Sequence, residues 1–269
     1  MKVQPKRVAG AVLLAALCPG AWGEELSFQT LAAFQGYMRR TEQELAGRLS
    51  NPSAPLWGEA PPSLWARIRN GEIPVEALNG GRPAPVPGGL VHDWIGGVFI
   101  PGVGLQDVVK LLQDYNRHAR IYQPEVLASK LLSRDGDRFH TYLRLKKKKV
   151  LTVVLDTEYD IRWIHLGPRR AACRSLSTKV AEVEEAGTGQ EREKPPGEGH
   201  GFLWRFNAYW WVSERDGGVY LECRSISLTR DVPRALAWLI NPIVSGLPRE
   251  SLVHTLERTR AALQLRAKL

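Results

Sequence analysis

In the last third of the chain the spacing of hydrophobic positions switches from a period of two to steps of three and four. Over residues 201–212, Phe202, Trp204, Phe206, Ala208 and Trp210 fall on alternate positions with Arg205 and Asn207 between them, the pattern of a strand with one buried face. Asp216-Gly217 supplies a hairpin turn, and 219–228 alternates again, so the two runs are expected to pair antiparallel. Asp231 and Pro233 mark a helix start. Pro242, Gly246 and Pro248 predict an interruption, with a short helix over 233–240 and a long one from about 248. On the long one, Leu252, Val253, Leu256, Thr259 and Leu263 form one stripe, and Arg249, Glu250, Glu257, Arg258 and Arg260 lie off it. Helix and strands each have one face to bury.

Upstream, 26–49 reads as an amphipathic helix with Leu31, Phe34, Met38, Leu45 and Leu49 on one side. A short helix follows over 63–69, with Trp57 and Trp65 as staples onto the main domain. The Gly/Pro-rich stretch 79–89 reads as a linker, placing a boundary near 88 between a helical arm (24–87) and a main domain (88–269). The first strand, 90–100, carries Gly96-Gly97, where a bulge or bend is expected. A helix over 107–121 precedes strands at 126–132, 138–145, 150–163 and 171–183. The lysine run 146–149 reads as a solvated edge, and 184–200 as a mobile loop.

A composition of 43% hydrophobic and 24% charged residues excludes a disordered chain. Residues 1–23 have the three parts of a secretory signal: Lys2, Lys6 and Arg7, an apolar run over 8–17, and Ala21-Trp22-Gly23 as a cleavage site. The expected mature chain starts near Glu24 and is exported, to a periplasm or outside the cell. Cleavage leaves 34 cations against 28 acids, a formal charge of +6. That excess is compatible with peripheral contact to anionic lipid headgroups or with an ordinary basic surface. With no nucleic-acid-reading motif, nucleic acid is not an expected partner. Cys173 and Cys223 remain after cleavage. If their strands flank the 201–212 strand, two spacings of about 4.8 Å separate them, beyond the roughly 7 Å limit for a bridge, so two free thiols are expected.

No catalytic fingerprint is present. The six histidines are scattered without metal-type spacing, there is no Gly-x-Ser-x-Gly elbow, and no metal or other cofactor is expected. The order strand, helix, six strands, long helix resembles the helix-grip fold of the START-like superfamily, which includes coenzyme Q-binding and polyketide-cyclase-like proteins. The resemblance rests on Gly104-Leu-Gln-Asp-Val-Val-Lys-Leu-Leu112, on Tyr122-Gln-Pro-Glu-Val126, and on Gly217-Gly-Val-Tyr-Leu-Glu222 running into Leu228-Thr-Arg-Asp-Val-Pro233. It implies an α+β fold in which a curved antiparallel sheet of about seven strands wraps a long C-terminal helix, with the arm as an addition. It also implies a cavity for a lipid-like, isoprenoid or aromatic molecule.

The expected lining is Phe139, Thr141, Leu143, Trp204, Phe206, Trp210, Leu221, Trp238 and Leu256. These side chains either line a hollow or fill it as a solid core. His140, Arg144, Glu222 and Arg224, polar positions within apolar strands, either meet a ligand headgroup or alternate outward to solvent; His92, Asp93 and Arg174 pose the same choice. The primary functional expectation is an exported carrier of a hydrophobic small molecule, with a mobile mouth made by 184–200 and the helix break at 241–248. A second is a cyclase- or hydrolase-like enzyme using His140 with Arg144, or Glu222, as acid or base. A third is a structural envelope protein docking a partner through the arm.

Overall fold

The computed structural model describes residues 25–51, 53–148, 152–231 and 237–266, with the side chains of 237–245 outside the description. The expected signal segment also lies outside the described residues. Two arm helices, α1 (Phe28–Ser50) and α2 (Pro62–Arg69), are followed by short strands β1 (Val75–Ala77) and β2 (Ala84–Val86). Then come β3 (Gly89–Pro101), α3 (Leu105–Leu112), α4 (His118–Ile121), β4 (Val126–Asp135), β5 (Arg138–Lys148), β6 (Thr152–His165) and β7 (Arg170–Glu184). A two-residue β8 (Arg192–Glu193), the long β9 (Arg205–Arg215) and β10 (Gly218–Arg230), and α5 (Ala237–Arg266) complete the chain.

All pairings are antiparallel, in the order β1-β3-β10-β9-β7-β6-β5-β4, with β2 beside β3 and β8 beside β7. The seven long strands are those expected, and the three short ones are additional. At the β9–β10 hairpin, Asp216 and Gly217 both take positive φ, 56° and 74°, as a two-residue turn matched to strand twist requires. Register shifts at Val126/Ala128, Leu131/Ser133 and Glu158/Tyr159 mark bulges that bend the far strands. α5 packs on β3, β1, β10 and α3. This is the α+β helix-grip arrangement.

The sheet is covered on both faces. Val98, Ile100, Leu221, Val212 and Ala171 point to the inner face, where they pack with Leu252, Leu256 and Leu263 of α5 and with α3. Val91, Tyr209, Trp211, Tyr220, Ile226 and Leu228 point to the outer face, under Phe34, Met38 and Leu45 of α1 and Leu64 and Ile68 of α2. Trp65 stacks on Tyr220 at 4.3 Å between ring centroids, so it does act as a staple. Ser27 caps α1, its Oγ accepting from the Thr30 N–H at 3.1 Å.

Several local expectations are corrected. β3 runs through Gly96-Gly97 without a bulge. The glycines admit neighbours instead: a Cβ on Gly96 would meet Val75 at 2.7 Å and Leu256 at 3.0 Å, and one on Gly97 would meet Ile68 at 3.2 Å. One glycine seats the C-terminal helix and the next seats the arm. The expected 107–121 helix is divided into α3 and α4, because Asn116 Oδ1 accepts from Leu131 N–H and Ser129 Oγ accepts from Ala119 N–H. Those side-chain bonds tie the break to β4 in place of continued helix. α5 is continuous through Pro242, Gly246 and Pro248, so the expected helix break is absent. Each proline removes a single i to i−4 bond, while the buried stripe Leu252, Leu256, Thr259 and Leu263 holds the later turns. The 79–89 linker holds β2, paired to β3.

The 184–200 stretch is pinned rather than loose. β8 pairs with β7, Leu26 N–H donates to the Gly197 carbonyl at 3.0 Å, and Glu182 accepts from His200 and from the Gly201 N–H. Lys147, expected to be solvated, pairs with Glu125 and donates to Ser251 of α5 at 2.5 Å.

Candidate functional site

Alternation along the strands decides which side chains can meet a molecule held between sheet and α5. On β5, Phe139 and Leu143 point inward, with Thr141 in the same row. Phe206 and Trp210 of β9, Leu221 of β10 and Leu256 of α5 join them. Phe139, Leu221 and Leu256 are fully buried, whereas Trp94, Leu143, Phe206 and Trp210 are only half-buried although they point to the inner face.

The remaining expected residues lie elsewhere. Trp204 packs in the outer cluster with Leu228 and Trp211, because it precedes β9 and so lies outside that strand's alternation. The Trp238 side chain lies outside the described residues. All four polar candidates face outward. His140 bonds Asp160 at 2.8 Å and Glu158 at 3.1 Å. Burial pulls its pKa down, but those two carboxylates outweigh it and leave the imidazole above its ordinary value. Arg144 forks onto Asp156 at 2.8 Å through Nε and again through Nη2, and also reaches Glu191. Glu222 receives Arg48 at 2.6 Å and the Trp57 N–H at 2.6 Å. Arg224 grips Asp93 at 2.9 and 2.6 Å, and Tyr37 Oη donates to the same carboxylate at 2.6 Å. An acid or base at His140, Arg144 or Glu222 would therefore work on the face away from α5.

Beneath α1 a groove of about 630 Å³ opens on that outer face, lined by Tyr37, Arg40, Glu44, Arg48, Trp57 and Ile95 among others. Two of its guanidinium groups, Arg48 and Arg224, are already committed to Glu222 and Asp93. The groove is the seam along which the arm is fastened.

Cys173 and Cys223 stand opposite Trp210 from its two flanking strands and are both free, as the meander spacing requires. Burial pushes both thiols up in pKa, away from reactivity.

The inner face also holds polar residues that the sequence reading left undecided or passed over. His92 lies two residues before Trp94 on β3, shares its face and so points inward, where Nε2 lies 3.0 Å from Thr229 Oγ1. Burial lowers its pKa to about 4. His118, tucked under α3, shifts the same way, to about 4, through burial opposed by a bond to the Leu112 carbonyl. A depressed histidine pKa means that the unfolded chain binds the extra proton first. Stability is thus fully present above the unfolded value near 6.5 and falls as pH drops toward 4. Urea midpoints followed from pH 7.5 to 4 should decline over that window, and His92→Asn should flatten part of the decline. A variant curve parallel to wild type would show that His92 is not a source of it.

No protein-family model and no curated protein sequence matches the chain. Solved structures similar in backbone include a STAR-related lipid transfer protein from Xanthomonas axonopodis, at 20% identity and a TM-score of 0.46, covering 71% of this chain and 98% of that one. Human STARD10 aligns at 10% identity and a TM-score of 0.43, covering 82% and 86%. The ZhuI aromatase/cyclase from Streptomyces sp. R1128 aligns at 12% identity and a TM-score of 0.40, covering 65% and 95%. At these identities and scores the likenesses carry no argument about ligand or activity. The strand order and sheet-on-helix packing described above are those of the helix-grip fold.

Proposed function

We propose that this chain binds a hydrophobic small molecule between the inner face of the sheet and α5, and carries it between locations in the cell envelope. The observation that supports this is the half-buried state of Trp94, Phe206 and Trp210, large aromatic groups on the inner face of the sheet. A core closed on itself would bury them. Covering such surface with a ligand gains about 25 cal/mol per Å², so an apolar molecule of modest size has enough driving force to bind. The basic, apolar and small-residue pattern of residues 1–23 supports export with cleavage near Gly23, and the +6 charge of the remainder supports peripheral contact with anionic headgroups.

Native mass spectrometry of the protein recovered from its own host tests the whole reading. The expected spectrum has the mass of a chain beginning near Glu24 plus a bound molecule that organic extraction releases. A chain that arrives empty and stays empty when offered lipid extracts would end the carrier reading. A full-length mass would end the cleavage reading alone.

A further inference from the structure

Along β10 the inward row changes character. It runs Val219, Leu221, Cys223 and then Ser225, Ser227, Thr229, while the intervening outward positions Ile226 and Leu228 stay apolar. Ser225 stands opposite Trp94 on β3 and Ala208 on β9, and Ser227 stands opposite His92 and Phe206. All three hydroxyl residues and His92 are buried. Thr229 is bonded to His92, but the Ser225 and Ser227 hydroxyls make no hydrogen bond among the described residues. These two hydroxyls lie beside the half-buried Trp94 and Phe206, on the side of the sheet proposed above to hold the ligand.

Charge at this end of the inner face is already spent. Arg224, between Cys223 and Ser225, points outward to Asp93. Glu182 is occupied by His200 and by the Gly201 N–H. His92 is neutral at ordinary pH. An ionised carboxylate or phosphate seated here would be buried with no cation among the described residues to meet it, which is costly. A hydroxyl or carbonyl needs only hydrogen bonds, which the two serines can supply.

We infer that the cargo is an amphipathic molecule whose polar end is an uncharged oxygen group, an alcohol or a carbonyl, seated on Ser225 and Ser227 beside His92, with its apolar body running toward Cys223 and Leu221. This rests on the carrier reading and adds the chemical class of the cargo. A site built to hydrogen-bond an oxygen discriminates against the analogue that lacks it, because its own hydroxyls are then left unpaired.

The test uses the full chain and the neutral dye N-phenyl-1-naphthylamine, displaced at pH 8 by 1-hexadecanol, hexadecanoate or hexadecane, which share one chain length. The alcohol is expected to displace the dye at about tenfold lower concentration than either competitor, the effect of two neutral hydrogen bonds. Ser225→Ala/Ser227→Ala should erase the preference for alcohol over alkane, read as the ratio of the two competitors' displacing concentrations, which a general change in dye affinity does not move. Hexadecanoate matching the alcohol in the wild type would overturn the inference without recourse to any variant, and so would a preference that survives in the double variant. A dye that binds with no alcohol preference sinks only this inference. If no dye binds at all, the carrier reading falls and takes this one with it.

Discussion

Replacing Asp93 with alanine is expected to lower the unfolding free energy by about 3–5 kcal/mol, the loss found when one partner of a buried ion pair is removed. Asp93 has a fully buried side chain, and three bonds converge on it: two from Arg224, itself 12% exposed, and one from Tyr37 on α1. Alanine leaves the guanidinium beneath the arm with the looser Glu44 contact at 3.5 Å, and it leaves the Tyr37 hydroxyl to Asn79. Burial, with the Asp93 bond adding to it, raises the Tyr37 pKa to about 12, so the phenol stays a donor throughout the neutral range. Because that folded value lies above the unfolded one near 10, the phenol's contribution is intact below pH 10 and is lost as pH rises toward 12. Asp93→Leu/Arg224→Met removes both charges together and should recover most of the loss, since the penalty comes from the stranded charge. Urea unfolding of the two variants decides the matter: a loss below about 1 kcal/mol for Asp93→Ala would mean that this ion pair contributes little to holding the arm. Limited proteolysis of the same variant should cut the segment between α1 and α2, where wild type resists.

How the arm is fastened explains what the sequence could and could not disclose. The strands were legible because their alternation survives in isolation: Phe206, Ala208 and Trp210 fall on one side whatever lies opposite. The Asp216-Gly217 turn likewise needs only local geometry to reverse the chain. The face each polar residue meets depends on which element covers it, and that is tertiary. Glu222 and Arg224 alternate with Leu221 and Cys223, so parity alone puts them on the side of Tyr220 and Ile226. What parity lacked was the knowledge that this side is roofed by α1, whose Arg48 and Tyr37 supply the partners. A sheet covered on both faces buries residues at nearly every position, polar ones included, as β10 shows, and the usual rule of one wet face then misassigns buried ion pairs to a ligand pocket. The hydroxyl row Ser225, Ser227, Thr229 was readable as a period-two stripe, but only its position opposite His92 and Trp94 gives it meaning. Proline weight misled at α5, where one lost bond per proline was read as a break.

Leu256→Ala is expected to cost about 2–5 kcal/mol, the range for a leucine removed from a packed core. The reason lies on the opposite strand. Leu256 has no exposed surface and reaches β3 at Gly96, the position where a side chain would collide with it. The glycine lets helix and sheet approach, and the leucine fills the space that results, so neither neighbour can move in when the leucine is cut back. Leu265, on the same helix but 66% exposed, provides the control: Leu265→Ala should change stability by less than about 0.5 kcal/mol. Thermal and urea unfolding of the two variants would distinguish a helix gripped at Gly96 from one merely lying against the sheet. Equal small losses at both positions would remove the grip. A large loss confined to Leu256 would place the anchor of α5 at Gly96, on the strand that also carries His92 and Trp94. Any ligand held between them would then lie against a helix fixed at that end.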